Sequence, residues 1–159
     1  MSAVVPVQVV GGIVKAADYN WLVGGSTNQR PTFFAVQNAA QSIANNTGSI
    51  HLKCQSVIRD TDVAYSTSTG IYTVATAGMW SFTATLQWAG GAGTRVLTLG
   101  VGSSYQSVDA TADLRHGTAL IAYANVGDTF VADVFQSTGG AVNTSGNGLC
   151  SMSAVWIGS

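Results

Sequence analysis

Ser68-Thr-Gly-Ile-Tyr-Thr-Val-Ala-Thr-Ala-Gly-Met-Trp-Ser-Phe-Thr-Ala-Thr-Leu-Gln-Trp88 decides how the chain is read. A short apolar run at 71–74 leads to a glycine corner at Gly78 and then to a long alternating stretch. Trp80, Phe82, Ala84, Leu86 and Trp88 share one parity, and Met79, Ser81, Thr83, Thr85 and Gln87 the other. Five apolar residues at period two predict a strand with one buried face. A glycine at the corner permits backbone angles that a side chain resists.

The same rhythm continues on both sides. Candidate strands lie at 33–37, 51–58, 71–74, 79–88, 95–101, 117–123, 129–135 and 149–157. Turn chemistry separates them: Asn45-Asn-Thr-Gly48, Asp60-Thr-Asp62, Gly90-Gly-Ala-Gly93, Asn125-Val-Gly-Asp128, Gly139-Gly140 and Ser145-Gly-Asn-Gly148. Short strands at this spacing predict a two-sheet sandwich or jelly roll. Gly90–Gly93 is expected to be a hairpin loop. It has no following lysine and no following helix, so it is not a phosphate cradle.

Composition narrows the partners. Charged residues are 8% of the chain, against roughly 25% in an ordinary soluble domain. All seven acids are Asp, Lys and Arg total six, and the net charge is -1. Nucleic acid needs clustered Lys and Arg, so it is not an expected partner. The absence of Glu and the scarcity of Lys argue against long exposed helices. A nearly uncharged, hydroxyl-rich surface suits packing against copies of itself or a neighbour.

Residues 1–31 differ from the rest and are expected to form an arm ahead of a β domain at 32–159. Lys15-Ala-Ala-Asp-Tyr-Asn-Trp-Leu-Val23, followed by Gly24-Gly25, predicts a short helix stopped by glycine. A helix that short needs a docking partner. The apolar start is broken by Pro6, Gln8, Gly11 and Gly12 and has no basic leader. It reads as neither a signal peptide nor a bilayer span, so no membrane insertion is expected. Cys54 and Cys150 fall inside predicted strands and are expected to be buried thiols.

Several segments together carry a family resemblance. Thr69-Gly-Ile-Tyr-Thr73 with Ala77-Gly-Met-Trp-Ser-Phe82 is the most specific. Phe33-Phe-Ala35, Gln41-Ser-Ile43, Val57-Ile58 and Val63-Ala-Tyr65 precede it; Val126-Gly-Asp-Thr-Phe-Val131 and the closing run at 149–157 follow. In this order they resemble the C1q/TNF-like head, although neither Ala75 nor Thr76 is the proline often found there. The resemblance implies an all-β jelly-roll sandwich of about eight to ten antiparallel strands. It also implies a homotrimer, with one face of each sandwich packed around a threefold axis. Tyr72, Trp80, Trp88, Phe130 and Trp156 are candidates for core or trimer interface, and both assignments stand.

No collagen-like Gly-X-Y arm is present, which turns the resemblance away from complement and cytokine roles. Lys15-Ala-Ala-Asp-Tyr-Asn20, with Arg30-Pro31 ahead of the β region, resembles the start of small structural proteins of tailed bacteriophages. That implies a non-enzymatic protein of the virion surface, made in the host cytoplasm. The expected role is a minor tail or tail-tip protein with host attachment. A capsid decoration or head fibre, or a bacterial C1q-like glycan-binding module, are the alternatives. The arm would hold the particle through Val7, Val9, Ile13, Tyr19, Trp21 and Leu22, on other phage structural proteins. Loops at 90–93, 103–109 and 139–147 are candidates for host-surface glycan contacts.

Enzyme chemistry finds little footing. Asp60 and Asp62 sit where turns favour Asp. His51 and His116 are the two histidines, without a Cys or carboxylate cluster beside them in sequence, so no metal or cofactor is expected. Asp113-Leu-Arg-His116 reads as a solvated loop, and no Gly-x-Ser-x-Gly elbow accompanies it.

Overall fold

Alternation along the chain resolves into antiparallel sheets. The computed structural model describes residues 8–9, 12–13 and 30–159 apart from Gly91, Ala112 and Asp113. The chain divides into two units, Met1–Arg30 and Pro31–Ser159. In the first, β1 (Gln8–Val9) pairs antiparallel with β2 (Gly12–Ile13). The helix expected over 15–23, with Tyr19, Trp21 and Leu22, lies outside the described residues, as does Val7.

The second unit is built from β3 (Thr32–Val36), β4 (Ser42–Ile43), β5 (Ile50–His51), β6 (Ser56–Asp60), β7 (Tyr65–Ser66), β8 (Ile71–Thr73), β9 (Gly78–Gln87), β10 (Thr94–Val101), β11 (Ser104–Ala110), β12 (Arg115–Ala124), β13 (Thr129–Ser137), β14 (Val142–Asn143) and β15 (Ser151–Gly158). One sheet runs β12-β9-β15-β3-β6. The other runs β11-β10-β13-β8-β7, with β5 also on β13. The short β4 and β14 pair beside them.

Several sequence expectations are corrected. The run at 51–58 is not one strand: β5 ends at His51 and β6 begins at Ser56. Leu52 and Cys54, between them, are buried, and Leu52 N–H donates to the Ala132 carbonyl at 2.7 Å. The loop expected at 103–109 is largely β11, in register with β10 from Arg95–Ala110 to Val101–Ser104. The loop expected at 139–147 contains β14. Gly90–Gly93 does not close a hairpin, because β9 and β10 belong to different sheets and the chain crosses between them. Cys54 and Cys150 sit just outside strands, although both are buried and free.

The core lies between the sheets. On β9 the burial alternates in the parity read from the sequence, with Trp80, Phe82, Ala84 and Leu86 inward. Leu97, Leu99 and Val101 of β10 and Phe130, Ala132 and Val134 of β13 meet them from the opposite side. An aromatic chain links the layers. Phe33 stacks on Tyr72 with ring centroids 5.0 Å apart, Tyr72 meets Trp80 edge-on at 6.0 Å, and Phe82 meets Phe130 at 4.6 Å. Such pairs add about 0.5–1.5 kcal/mol beyond area burial.

The glycine corner has a clear cause. Gly78 has φ of 142°, and a Cβ there would overlap the Gly158 carbonyl oxygen and the Trp156 indole nitrogen. The indole N–H of Trp80 donates to the Thr76 carbonyl at 3.0 Å, and that of Trp156 to the Ala77 carbonyl at 3.1 Å. The Thr76–Trp80 motif therefore fastens the start of β9 to the end of β15.

Candidate assembly face

The five-stranded sheet turns its second face outward. The pairing places Ile121, Ser81, Val155 and Thr32 in one row across β12, β9, β15 and β3. The next row is Ala119, Thr83, Ser153 and Phe34, continuing to Arg59 on β6. The row after that is Gly117, Thr85, Ser151 and Val36. Tyr123 lies opposite Met79 at one end, and Arg115 opposite Gln87 at the other.

This surface is graded. Ile121 is 63% exposed and Tyr123 56%, and Met79, Val155, Ile157 and Phe34 are exposed large apolar residues beside them. Toward the other end the side chains are hydroxyls that bond one another, Thr83 to Ser153 at 2.6 Å and Thr85 to Ser151 at 2.8 Å. Charge enters these rows only through Arg59 and Arg115. The Nε of Arg59 donates to Thr32 Oγ1 at 2.6 Å, and that of Arg115 to Gln87 Oε1 at 2.8 Å. A sheet face with clustered large apolar side chains, its charge confined to Arg59 and Arg115 on the two edge strands, has the composition of a buried interface core with a polar rim.

The aromatics expected as core or interface separate here. Tyr72, Trp80, Trp88 and Phe130 are fully buried within the chain. Trp156 is half-buried and packs against the same core. The outward residues Phe34, Met79, Ile121, Tyr123, Val155 and Ile157 were not singled out by sequence reasoning. A signal was present: Ala119-Leu-Ile-Ala-Tyr-Ala124 and Ser153-Ala-Val-Trp-Ile157 are apolar at both parities, the pattern of strands covered on both faces.

The candidate chemistry sits elsewhere. His116 is not in a solvated loop; it is buried in β12, edge-on to Trp88 at 6.5 Å. Asp113 lies outside the described residues. His116 and Arg115, with Thr85, Gln87, Gly117 and Leu149, line an open cleft at the hydroxyl end of the face. Asp60 Oδ2 accepts from the Ala64 and Tyr65 N–H groups, both at 2.9 Å, and Asp62 accepts from the Tyr72 hydroxyl at 3.3 Å. These are turn-fixing roles. Burial and then the Asp62 and Asp60 charges push the Tyr72 phenol above its ordinary range. Burial first, and then Cys150 nearby, push the Cys54 thiol up to about 12. Among the described residues, no group of three His, Cys, Asp or Glu is placed to hold a metal ion. No helix among them is long and apolar enough to cross a membrane.

No family model matches the chain, and no curated protein sequence matches it. Solved structures do. The globular domain of zebrafish complement 1qA protein superposes with a TM-score of 0.63 at 13% identity, covering 80% of this chain and 98% of that one. Murine APRIL gives 0.60 at 11% identity, covering 81% and 100%. The PRD1 vertex protein P5 gives 0.58 at 17% identity, covering 80% and 95%. At these identities the likeness is one of fold: the chain carries the C1q/TNF-type jelly roll.

Proposed function

We propose that this protein is a non-enzymatic, homotrimeric component of a virus particle's surface. The outward face of the five-stranded sheet carries the reading. Six of its side chains, Tyr123, Met79, Ile121, Val155, Ile157 and Phe34, are large, apolar and exposed on a single chain. Covering each by a second and third copy removes apolar surface from water at about 25 cal/mol per Å². The same packing gives the hydroxyl rows of Thr83, Ser153, Thr85 and Ser151 a neighbour they meet without burying charge. The C1q/TNF-like resemblance supports three copies. The fold likeness to the PRD1 vertex protein supports a particle location, together with the phage-like pattern of the arm. The arm anchors the protein through Val7, Val9, Ile13, Tyr19, Trp21 and Leu22, and the head projects as a tail or tail-tip protein that meets the host surface.

Deleting residues 1–25 tests the division of labour. The truncated chain is expected to keep the trimer and to lose incorporation into particles. Normal incorporation would refute the anchor. Gold-labelled antibody on intact particles then locates it: label at the tail supports attachment, and label spread over the head makes it a capsid decoration instead.

A further inference from the structure

The six-stranded sheet has an outward face of different chemistry. Tyr105, Gly100 and Val131 form one row across β11, β10 and β13. Ser107, Thr98 and Asp133 form the next, and it continues to His51 on β5. Tyr105 is 67% exposed, yet its ring is placed. A Cβ built on Gly100 would come within 3.0 Å of Tyr105 Cε1 and 3.1 Å of Cδ1, so the ring lies down over the glycine. Gly100 is buried beneath it. Glycine inside a strand weakens it and marks a close approach; here the approach is that of an aromatic ring. The Tyr105 hydroxyl stands over the turn, 3.5 Å from the Gly102 carbonyl oxygen.

Hydrogen-bonding groups stand in the adjoining row. Asp133 Oδ1 is 2.5 Å from His51 Nδ1, and both side chains are partly exposed. Thr98 Oγ1 and Ser107 Oγ are 2.8 Å apart. A flat aromatic ring beside a carboxylate, an imidazole and two hydroxyls fits one class of ligand well. The C–H face of a sugar ring covers the apolar platform, and its hydroxyls meet donors and acceptors at the edge. Phosphate and nucleic acid fit poorly, because no Lys or Arg stands in these two rows.

We propose that this face is a saccharide site for a neutral pyranose, with Tyr105 as the stacking platform and Asp133, His51, Thr98 and Ser107 as hydroxyl partners. It deepens the host-attachment reading by naming the partner's chemistry, and it relocates the contact from loops to a sheet face. Each site binds weakly alone, and a trimer presenting three copies gains by avidity on a glycan-coated surface.

The test is saturation-transfer NMR on the full-length protein with the methyl glycosides of glucose, galactose, mannose and N-acetylglucosamine as separate probes. Transfer to the ring protons of at least one probe is expected. Tyr105→Ala is expected to abolish it and Tyr105→Phe to retain it. Asp133→Asn is expected to weaken the binding roughly tenfold, the cost of losing a charge-assisted hydrogen bond. Gly100→Ala, which lifts the ring from its bed, is expected to lower transfer while the amide spectrum stays dispersed. No transfer to any probe by the wild-type protein would overturn the proposal, and so would transfer that survives Tyr105→Ala. Mass measurements report the trimer separately, so a failed site and a failed assembly are told apart.

Discussion

Ile121 and Ala122 are neighbours on β12 with opposite fates, and that contrast tests the assembly face. Ile121 points outward and is 63% exposed; Ala122 points inward and is 7% exposed. Fully burying an isoleucine side chain is worth about 1.5–3 kcal/mol, so covering the exposed part of Ile121 contributes about 1–2 kcal/mol per protomer. Three copies make that about 3–6 kcal/mol per trimer. Ile121→Asp removes this term and adds the cost of taking three carboxylates out of water, several kcal/mol each. The lost apolar term alone is expected to weaken the trimer by about a hundredfold to ten-thousandfold, at about 1.4 kcal/mol per decade, and the carboxylates weaken it further. The isolated chain keeps its fold, since exchanging a β-branched residue for Asp on the exposed side of a strand costs about 1 kcal/mol, against a total stability of about 5–15 kcal/mol. Ala122→Asp instead places an unpaired carboxylate between the sheets, against a total stability of about 5–15 kcal/mol. Sedimentation velocity and circular dichroism read the two variants together. The expected result is a folded monomer for Ile121→Asp and an unfolded chain for Ala122→Asp. A wild-type trimer from Ile121→Asp would refute the face, and a folded Ala122→Asp would refute the parity of β12.

Two further outcomes follow from the core. Gly78→Ala forces a side chain into backbone with φ of 142° and against the Gly158 carbonyl. It should cost about 1–3 kcal/mol in urea unfolding, and a change below about 0.5 kcal/mol would contradict the corner. The buried thiol gives a pH window. Cys54 is raised from 9.0 to about 12, so its neutral form is favoured in the folded chain. Its contribution is fully present below pH 9.0 and is lost as pH rises toward about 12. Urea midpoints should fall across that window, less steeply in Cys54→Ala, and iodoacetamide should label the native thiol at neutral pH far more slowly than the unfolded one. Equal labelling rates would contradict the burial.

The sandwich was legible because β9 advertises itself. Trp80, Phe82, Ala84 and Leu86 at period two need a second apolar layer, and the other alternating runs supply it. The edge strand β11 was not legible. Ser103-Ser-Tyr-Gln-Ser107 has no apolar alternation, and its pairing with β10 is a backbone matter fixed by the neighbour. Buried polar side chains were hidden for a related reason. Gln136 is fully buried, yet its amide donates to the Ile43 and Gly140 carbonyls at 2.9 and 2.8 Å, and its oxygen accepts from Thr138 N–H at 2.9 Å. Thr144 reaches Gln37 at 2.5 Å from the far end of the domain sequence. Such partners are remote in the chain, so no local pattern announces them. The assembly face is half legible: the doubly apolar strands β12 and β15 show in the sequence, but Trp80 and Trp88, the bulkiest apolar residues, belong to the core.

Native mass spectrometry of the full-length protein tests the central claim most directly. The account predicts one dominant species at about 49 kDa, three times the 16.3 kDa chain. A dominant species at 16.3 kDa at micromolar concentration would contradict it, because the face from Tyr123 to Phe34 would then stand in water.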